Sequence, residues 1–295
     1  MPIDQALDER PASNLAEEKA TMSPIKSILL HVQSDEDVDS RLDTALALAR
    51  ANAAHLSCLH VTPIEAYVAF DSFGGVFVMN DVIKAIDEEQ ARLRHRLEER
   101  LKNEDVSWDY QEVTGQVASS IVRHAALSDL IIAGRQPHNR DFAGPAVGLL
   151  GDLIFRSRTP LFIPADDGRI PDVAGPALIA WDGSYEAANT VRWSLGLLGR
   201  ASVVRALKVD EQKDESFPST RLLEYLSRHG IHAELAMKPP SEGDIAATLL
   251  TEARALSAAY LVMGGYNHSR IGQYIFGGVT RSLLASADVA LVVAQ

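Results

Sequence analysis

Short apolar runs alternate along this chain with longer stretches of helical period. KSILLHV (26–32) and HLSCLHV (55–61) are too short for buried helices and read as buried strands. Between them, positions 40–54 place Leu42, Ala45, Leu46, Ala49 and Ala53 on one helical face. After an irregular, aromatic-bearing stretch at 64–80, positions 81–103 form a long charged helix with the stripe Val82, Ile86, Leu93, Leu97, Leu101. Strands follow at 107–115, 129–135 and 160–165 (PLFIPA), with helices at 117–127 and near 149–157. The order then repeats. Strands are predicted at 176–184, 202–209, 231–238, 260–266 and 290–294 (ALVVA), and helices at 185–198, 219–229, 244–256 and near 279–286.

Strands alternating with helices of this length imply βαβ units and a parallel sheet. The fold class is α/β: two tandem doubly wound domains, each a five-stranded parallel sheet in the order 3-2-1-4-5 with helices on both faces. The length of 295 residues suits two domains. The expected divisions are a polar, flexible tail (1–23), an N-terminal domain (24–166), a Gly-, Pro- and Asp-rich linker (167–175) and a C-terminal domain (176–295).

Composition narrows the function classes. The formal charge of −12 disfavours binding to nucleic-acid backbones. A small phosphorylated ligand remains compatible, because backbone N–H groups hold phosphate without net positive charge. No apolar run approaches the ~18 residues of a membrane span, and no signal-peptide pattern opens the chain. The single cysteine, Cys58, lies in an apolar strand and reads as a small core side chain. A cytoplasmic protein without nucleic-acid or membrane partners is expected. Trp108, Trp181 and Trp193 read as core or interface residues.

In an open parallel sheet, ligands bind beyond the carboxyl ends of the strands, where the strand order reverses. For this order the crevice lies between the first and fourth strands. In the second half the first strand ends in Trp181-Asp182-Gly183-Ser184, where Asp182 and Ser184 serve equally as helix caps or as ligand contacts. The fourth strand ends in Met263-Gly264-Gly265, and Gly277-Gly278-Val279-Thr280 opens the last helix. Glycines at a helix start let phosphate approach free N–H groups, and the helix dipole favours its charge. Asn267 tolerates positive φ, and Arg270 can add a charge-assisted contact.

The stretch MGGYNHSRIGQYIFGGVTRSLL (263–284) resembles the signature loop of the universal stress protein family, G-x2-G-x9-G-[S/T]. WDGS, with Ala187 and Ala188 downstream, resembles that family's first-strand aspartate turn, and the resemblance covers most of 25–295 as a tandem pair. It implies that Asp182 contacts the adenosine part of a nucleotide and that Val209 and Met263 lie near it. It further implies that Gly264, Asn267, Arg270, Gly277, Gly278, Val279 and Thr280 line the phosphates. The implied ligand is ATP or AMP, accompanied by Mg and not required for folding. Asn267 stands where the motif has its second glycine, and Gly278 where it has Ser or Thr.

The first half departs further. Gln33 occupies the aspartate position and is followed by Asp35, Glu36 and Asp37, whose charges repel a triphosphate. Pro137, which has no N–H, falls on a motif glycine. This half is expected to have a degenerate ligand site. The sequence holds no P-loop, G-x-G-x-x-G, G-x-S-x-G or H-E-x-x-H motif. The leading reading is a stress-response binding and regulatory module with one adenine-nucleotide site and at most slow, incidental ATP hydrolysis. A second reading is a scaffold that binds no nucleotide and acts through PLFIPA and ALVVA, as sheet edges, in a homodimer or between the two halves. A third is an ATP-using enzyme of the adenine-nucleotide α-hydrolase-like group, which needs an S-G-G-x-D-S-type loop that WDGSYEA does not match.

Overall fold

The computed structural model of the chain describes residues 25–64, 69–70, 76–77, 80–135, 148–165, 167–209, 217–241, 243–265 and 278–295. The first half supplies strands β1 (Ser27–Val32), β2 (His55–Pro63), β3 (Trp108–Gly115), β4 (Leu130–Ile132) and β5 (Leu161–Ile163). Its helices are α1 (Val38–Asn52), α2 (Asn80–Leu101), α3 (Val117–His124) and α4 (Gly148–Arg156). The second half supplies β6 (Ala177–Ala180), β7 (Val204–Val209), β8 (Ala233–Lys238), β9 (Tyr260–Gly264) and β10 (Ala290–Ala294). Its helices are α5 (Tyr185–Trp193), α6 (Leu195–Leu198), α7 (Ser219–Arg228), α8 (Ile245–Leu256) and α9 (Gly278–Ser286). Inside the stretch read as irregular, Ala69–Phe70 pairs antiparallel with Val76–Phe77.

The strands form a single ten-stranded sheet in the order β8-β7-β6-β9-β10-β5-β4-β1-β2-β3. Each half is parallel and follows the 3-2-1-4-5 order. The halves meet through one antiparallel pair, β10 against β5, with Val292 opposite Phe162. PLFIPA and ALVVA are therefore interior strands that cover each other, not edges offered to a partner. The outer edges are β3 and β8, which carry Asp109, Glu112, Glu234 and Lys238, side chains that discourage strand addition.

Strand order sets which face each helix covers. A right-handed crossover that moves outward from the first strand places its helix on one face, and the return to the fourth strand places the next helix on the other. Accordingly α1, α2, α5 and α7 pack on one face around Leu42, Leu97, Val191 and Leu222. The opposite face is covered by α3, α4, α8 and α9 through Ile121, Ile154, Leu249 and Leu283. The helix read at 185–198 is interrupted at Ser194. Its N–H is shared between the carbonyls of Thr190 and Val191, and α6 starts afresh at Leu195. Cys58 is buried, and burial, with the Asp109 charge nearby, pushes its thiol up to about 12.

Candidate functional site

Register assembles the carboxyl end of the second half. Ala180 pairs with Met263 on one side and with Leu207 on the other. Beyond this rung Val209 ends β7, Gly264 ends β9, and Asp182 lies in the turn after β6. β7 and β9 flank β6, each about 4.8 Å from it, so these three sequence-selected residues lie at the carboxyl ends of neighbouring strands, where the strand order reverses. Val209, Met263 and Val279 all pack on the face covered by α8 and α9.

The turn after β6 is built by its own side chains. The Trp181 N–H donates to the Leu207 carbonyl at 2.9 Å, which extends the ladder past the strand. Gly183 then takes φ +72, a conformation glycine adopts without strain. Asp182 Oδ1 accepts from the Ser184 N–H (3.0 Å) and hydroxyl (2.6 Å), and Ser184 Oγ accepts from the Ala187 N–H (3.1 Å). Ser184 is thus the N-cap of α5, and exposed Asp182 orients the cap. The Phe217 N–H donates to the Gly183 carbonyl at 3.0 Å, which fastens the segment before α7 to this turn.

The motif glycines perform different tasks. A Cβ on Gly264 would lie 2.6 Å from the Ala187 nitrogen and 2.8 Å from the Glu186 carbonyl carbon. The first turn of α5 therefore rests directly on Gly264. A Cβ on Gly265 would lie 2.4 Å from Ile154 Cγ2 of α4, so this glycine lets the first half close onto β9. Gly278, the first residue of α9, is exposed, and a Cβ there would meet nothing within 4 Å. Val279 is half-buried and Thr280 buried behind it. Asn267, Arg270 and Gly277 lie outside the described residues.

The equivalent crevice of the first half is filled by protein. Arg41 of α1, 3% exposed, lies over Gly134, where a Cβ would come within 2.6 Å of its Nη1. Its Nη2 donates to Asp35 Oδ1 at 2.7 Å and to the Gln33 carbonyl at 3.3 Å. The Asp35 charge is therefore turned onto a guanidinium. Arg41 Nε and Nη1 are buried without a partner among the described residues. The sequence reading missed Arg41, although a signal was present: it occupies the buried stripe of α1 with Val38, Leu42, Ala45 and Ala49.

Buried His31 lies near this guanidinium. Burial, with the charges of Arg41 and His60, lowers its pKa to about 3, and burial also lowers that of His60. A folded-state pKa below the unfolded value means that the unfolded chain binds the proton first. His31 should then leave stability unchanged above about pH 6.5 and remove about 1.4 kcal/mol per pH unit between there and about 3. Urea midpoints of the native chain are expected to fall from pH 7 to pH 5, with a shallower fall in His31→Leu.

No family model matches the sequence, and no curated protein does. Solved structures do. A universal stress protein from Archaeoglobus fulgidus DSM 4304 superposes with a TM-score of 0.70 at 14% identity, covering 91% of this chain and 97% of that one. A functionally unknown protein from Pseudomonas aeruginosa PAO1 superposes with a TM-score of 0.57 at 16% identity, covering 94% of each chain. The chain has the tandem universal stress protein fold. At these identities the likeness is one of architecture: two doubly wound halves joined in one chain. No helix among the described residues is long and apolar enough to cross a membrane.

Proposed function

We propose that the chain is a nucleotide-binding regulatory protein of the universal stress type, with one adenine-nucleotide site in its C-terminal half. The observation that supports this most is the placing of Asp182, Val209 and Gly264 at the carboxyl ends of β6, β7 and β9, where the strand order reverses, together with a helix start left open at Gly278. In this reading Asp182 accepts hydrogen bonds from the adenosine part, and Val209 and Met263 give it an apolar wall. Gly278, Val279 and Thr280 present the first N–H groups of α9 to phosphate, with Asn267, Arg270 and Gly277 completing the loop. ATP and AMP both fit this division of labour, and Mg accompanies ATP. Hydrolysis is slow and incidental, and the protein acts by binding in the cytoplasm. The first half, with Arg41 in its crevice, takes no nucleotide.

Calorimetry of the full chain with ATP and AMP tests the site. Saturable binding is expected, weakened at least tenfold in Asp182→Ala, about 1.4 kcal/mol. Gly278→Asp separates binding from folding. Its carboxylate enters open space at a helix N-terminus, where it favours the helix but repels phosphate. The expected result is unchanged or higher thermal stability with nucleotide affinity reduced tenfold or more. Absence of heat at millimolar nucleotide would remove the assignment.

A further inference from the structure

The two halves fill the space between their first two helices differently. In the first half, α2 runs 22 residues and buries Leu93, Leu97 and Leu101 beside α1. Arg96 and Arg100 of α2 pair with Asp39 and Asp43 of α1. In the second half, α7 has only ten residues. A cavity of about 450 Å³ opens between it and α5, within the size range of small-molecule sites.

The lining has two chemistries. Its inner part is apolar: Trp181 (4% exposed), Val191, Leu222 and the ring of Phe217. Its rim carries Arg192 from α5 and Arg221 and Arg228 from α7, with Glu224 as the one acid among the described lining residues. Glu224 reaches Arg228 at 3.6 Å. Among the described residues, Arg192 and Arg221 have no ion-pair partner. Two guanidinium groups with no ion pair among the described residues thus flank an apolar hole. Among the described residues the Trp181 indole N–H is also buried without a partner, a donor that proteins normally satisfy.

We propose that this cavity is a binding site for a small amphipathic anion. The ligand's apolar body lies on Trp181 and Leu222, and its carboxylate or phosphate head meets Arg192 and Arg221. Guanidinium groups bind planar carboxylates and phosphates in preference to neutral heads, and the aromatic and aliphatic floor selects against fully polar ions. The cavity adjoins the proposed nucleotide site at the Trp181-Asp182 turn but opens on the other side of the sheet. Trp181 belongs to the core under α5 and α7, whereas Val209, Met263 and Val279 belong to the opposite face.

Calorimetry of the full chain with decanoate, decyl phosphate, decanol and decylamine provides the test. Saturable binding is expected for at least one of the two anions, which identifies the head group, with decanol and decylamine at least tenfold weaker. Arg192 and Arg221 are exposed, so the double charge reversal Arg192→Glu/Arg221→Glu leaves the core intact. It should weaken the anion at least tenfold and leave nucleotide affinity unchanged. Ala188→Phe, which projects a ring into the cavity, should abolish anion binding. Equal affinity for decanol and decanoate, undiminished binding in the charge-reversed chain, or no binding of either anion at millimolar concentration would overturn the proposal.

Discussion

Replacing Gly264 by valine is expected to destabilise the chain by about 3 kcal/mol, the upper end of what overpacking costs. The added atoms meet backbone, not a yielding side-chain tip: the Ala187 nitrogen, the Glu186 carbonyl carbon and the Ala187 Cα all lie within 3.1 Å of the new Cβ. Relief requires α5 to lift from β9, and two bonds oppose that movement. Ser184 Oγ holds the Ala187 N–H, and the Thr190 hydroxyl, whose single proton is shared between the carbonyls of Glu186 (2.8 Å) and Ala294 (3.0 Å), links the same helix to β10. Losing the cap alone costs about 1 kcal/mol. For a cooperative chain of 295 residues the loss should appear as a fall in Tm of roughly 5 °C. Gly278→Ala is the control. It adds a Cβ to open space and should be neutral or stabilising by up to about 1 kcal/mol. A Gly264→Val chain with an unchanged urea midpoint would show that α5 is free to lift.

That contrast marks the boundary of what the sequence conveys. The interior strands are legible because strands buried on both faces are nearly continuous apolar runs, as in ILL (28–30) and ALVVA (290–294). The parallel pairing follows from the βαβ alternation and from the handedness of crossovers, whereas the order 3-2-1-4-5 is one of several doubly wound orders that share both. The joining of the halves does not: PLFIPA and ALVVA have the same composition whether they meet each other or a second chain. Nor do the glycines declare their tasks. Gly264 admits a helix backbone, Gly265 admits Ile154, and Gly278 leaves a helix start open, yet all three are one letter in one motif. Asp182 and Ser184 were legible as capping candidates, but the division between them was not: Ser184 is the cap, and Asp182 accepts from the backbone and hydroxyl of Ser184. Arg41 contradicts its own helix pattern. Its place is decided by Gly134, a residue far along the chain that periodicity does not connect to it.

Phe162→Ala tests whether the junction makes the two halves one cooperative body. Phe162 is 1% exposed at the centre of β5, opposite Val292 of β10, and its ring centroid lies 6.5 Å from that of Tyr260 in the other half. Truncating a fully buried phenylalanine costs about 3–5 kcal/mol through lost transfer energy and the cavity left behind. Both cores run through this junction. Phe162 and Tyr260 belong to one, while Ile154 and Leu161 share the other with Leu291 and Val293. The expected result is a single urea transition shifted as a whole, with far-ultraviolet circular dichroism and tryptophan fluorescence still coincident. Phe162→Leu keeps most of the volume and should cost less than about 1.5 kcal/mol. If the halves were held together only by isolated polar contacts such as the part-buried bond of Arg200 to Asn52, each worth about 1 kcal/mol, truncation would shift the first half alone and split the transition. Coincident probes in the alanine variant would therefore place the cohesion of the tandem in its continuous apolar sheet.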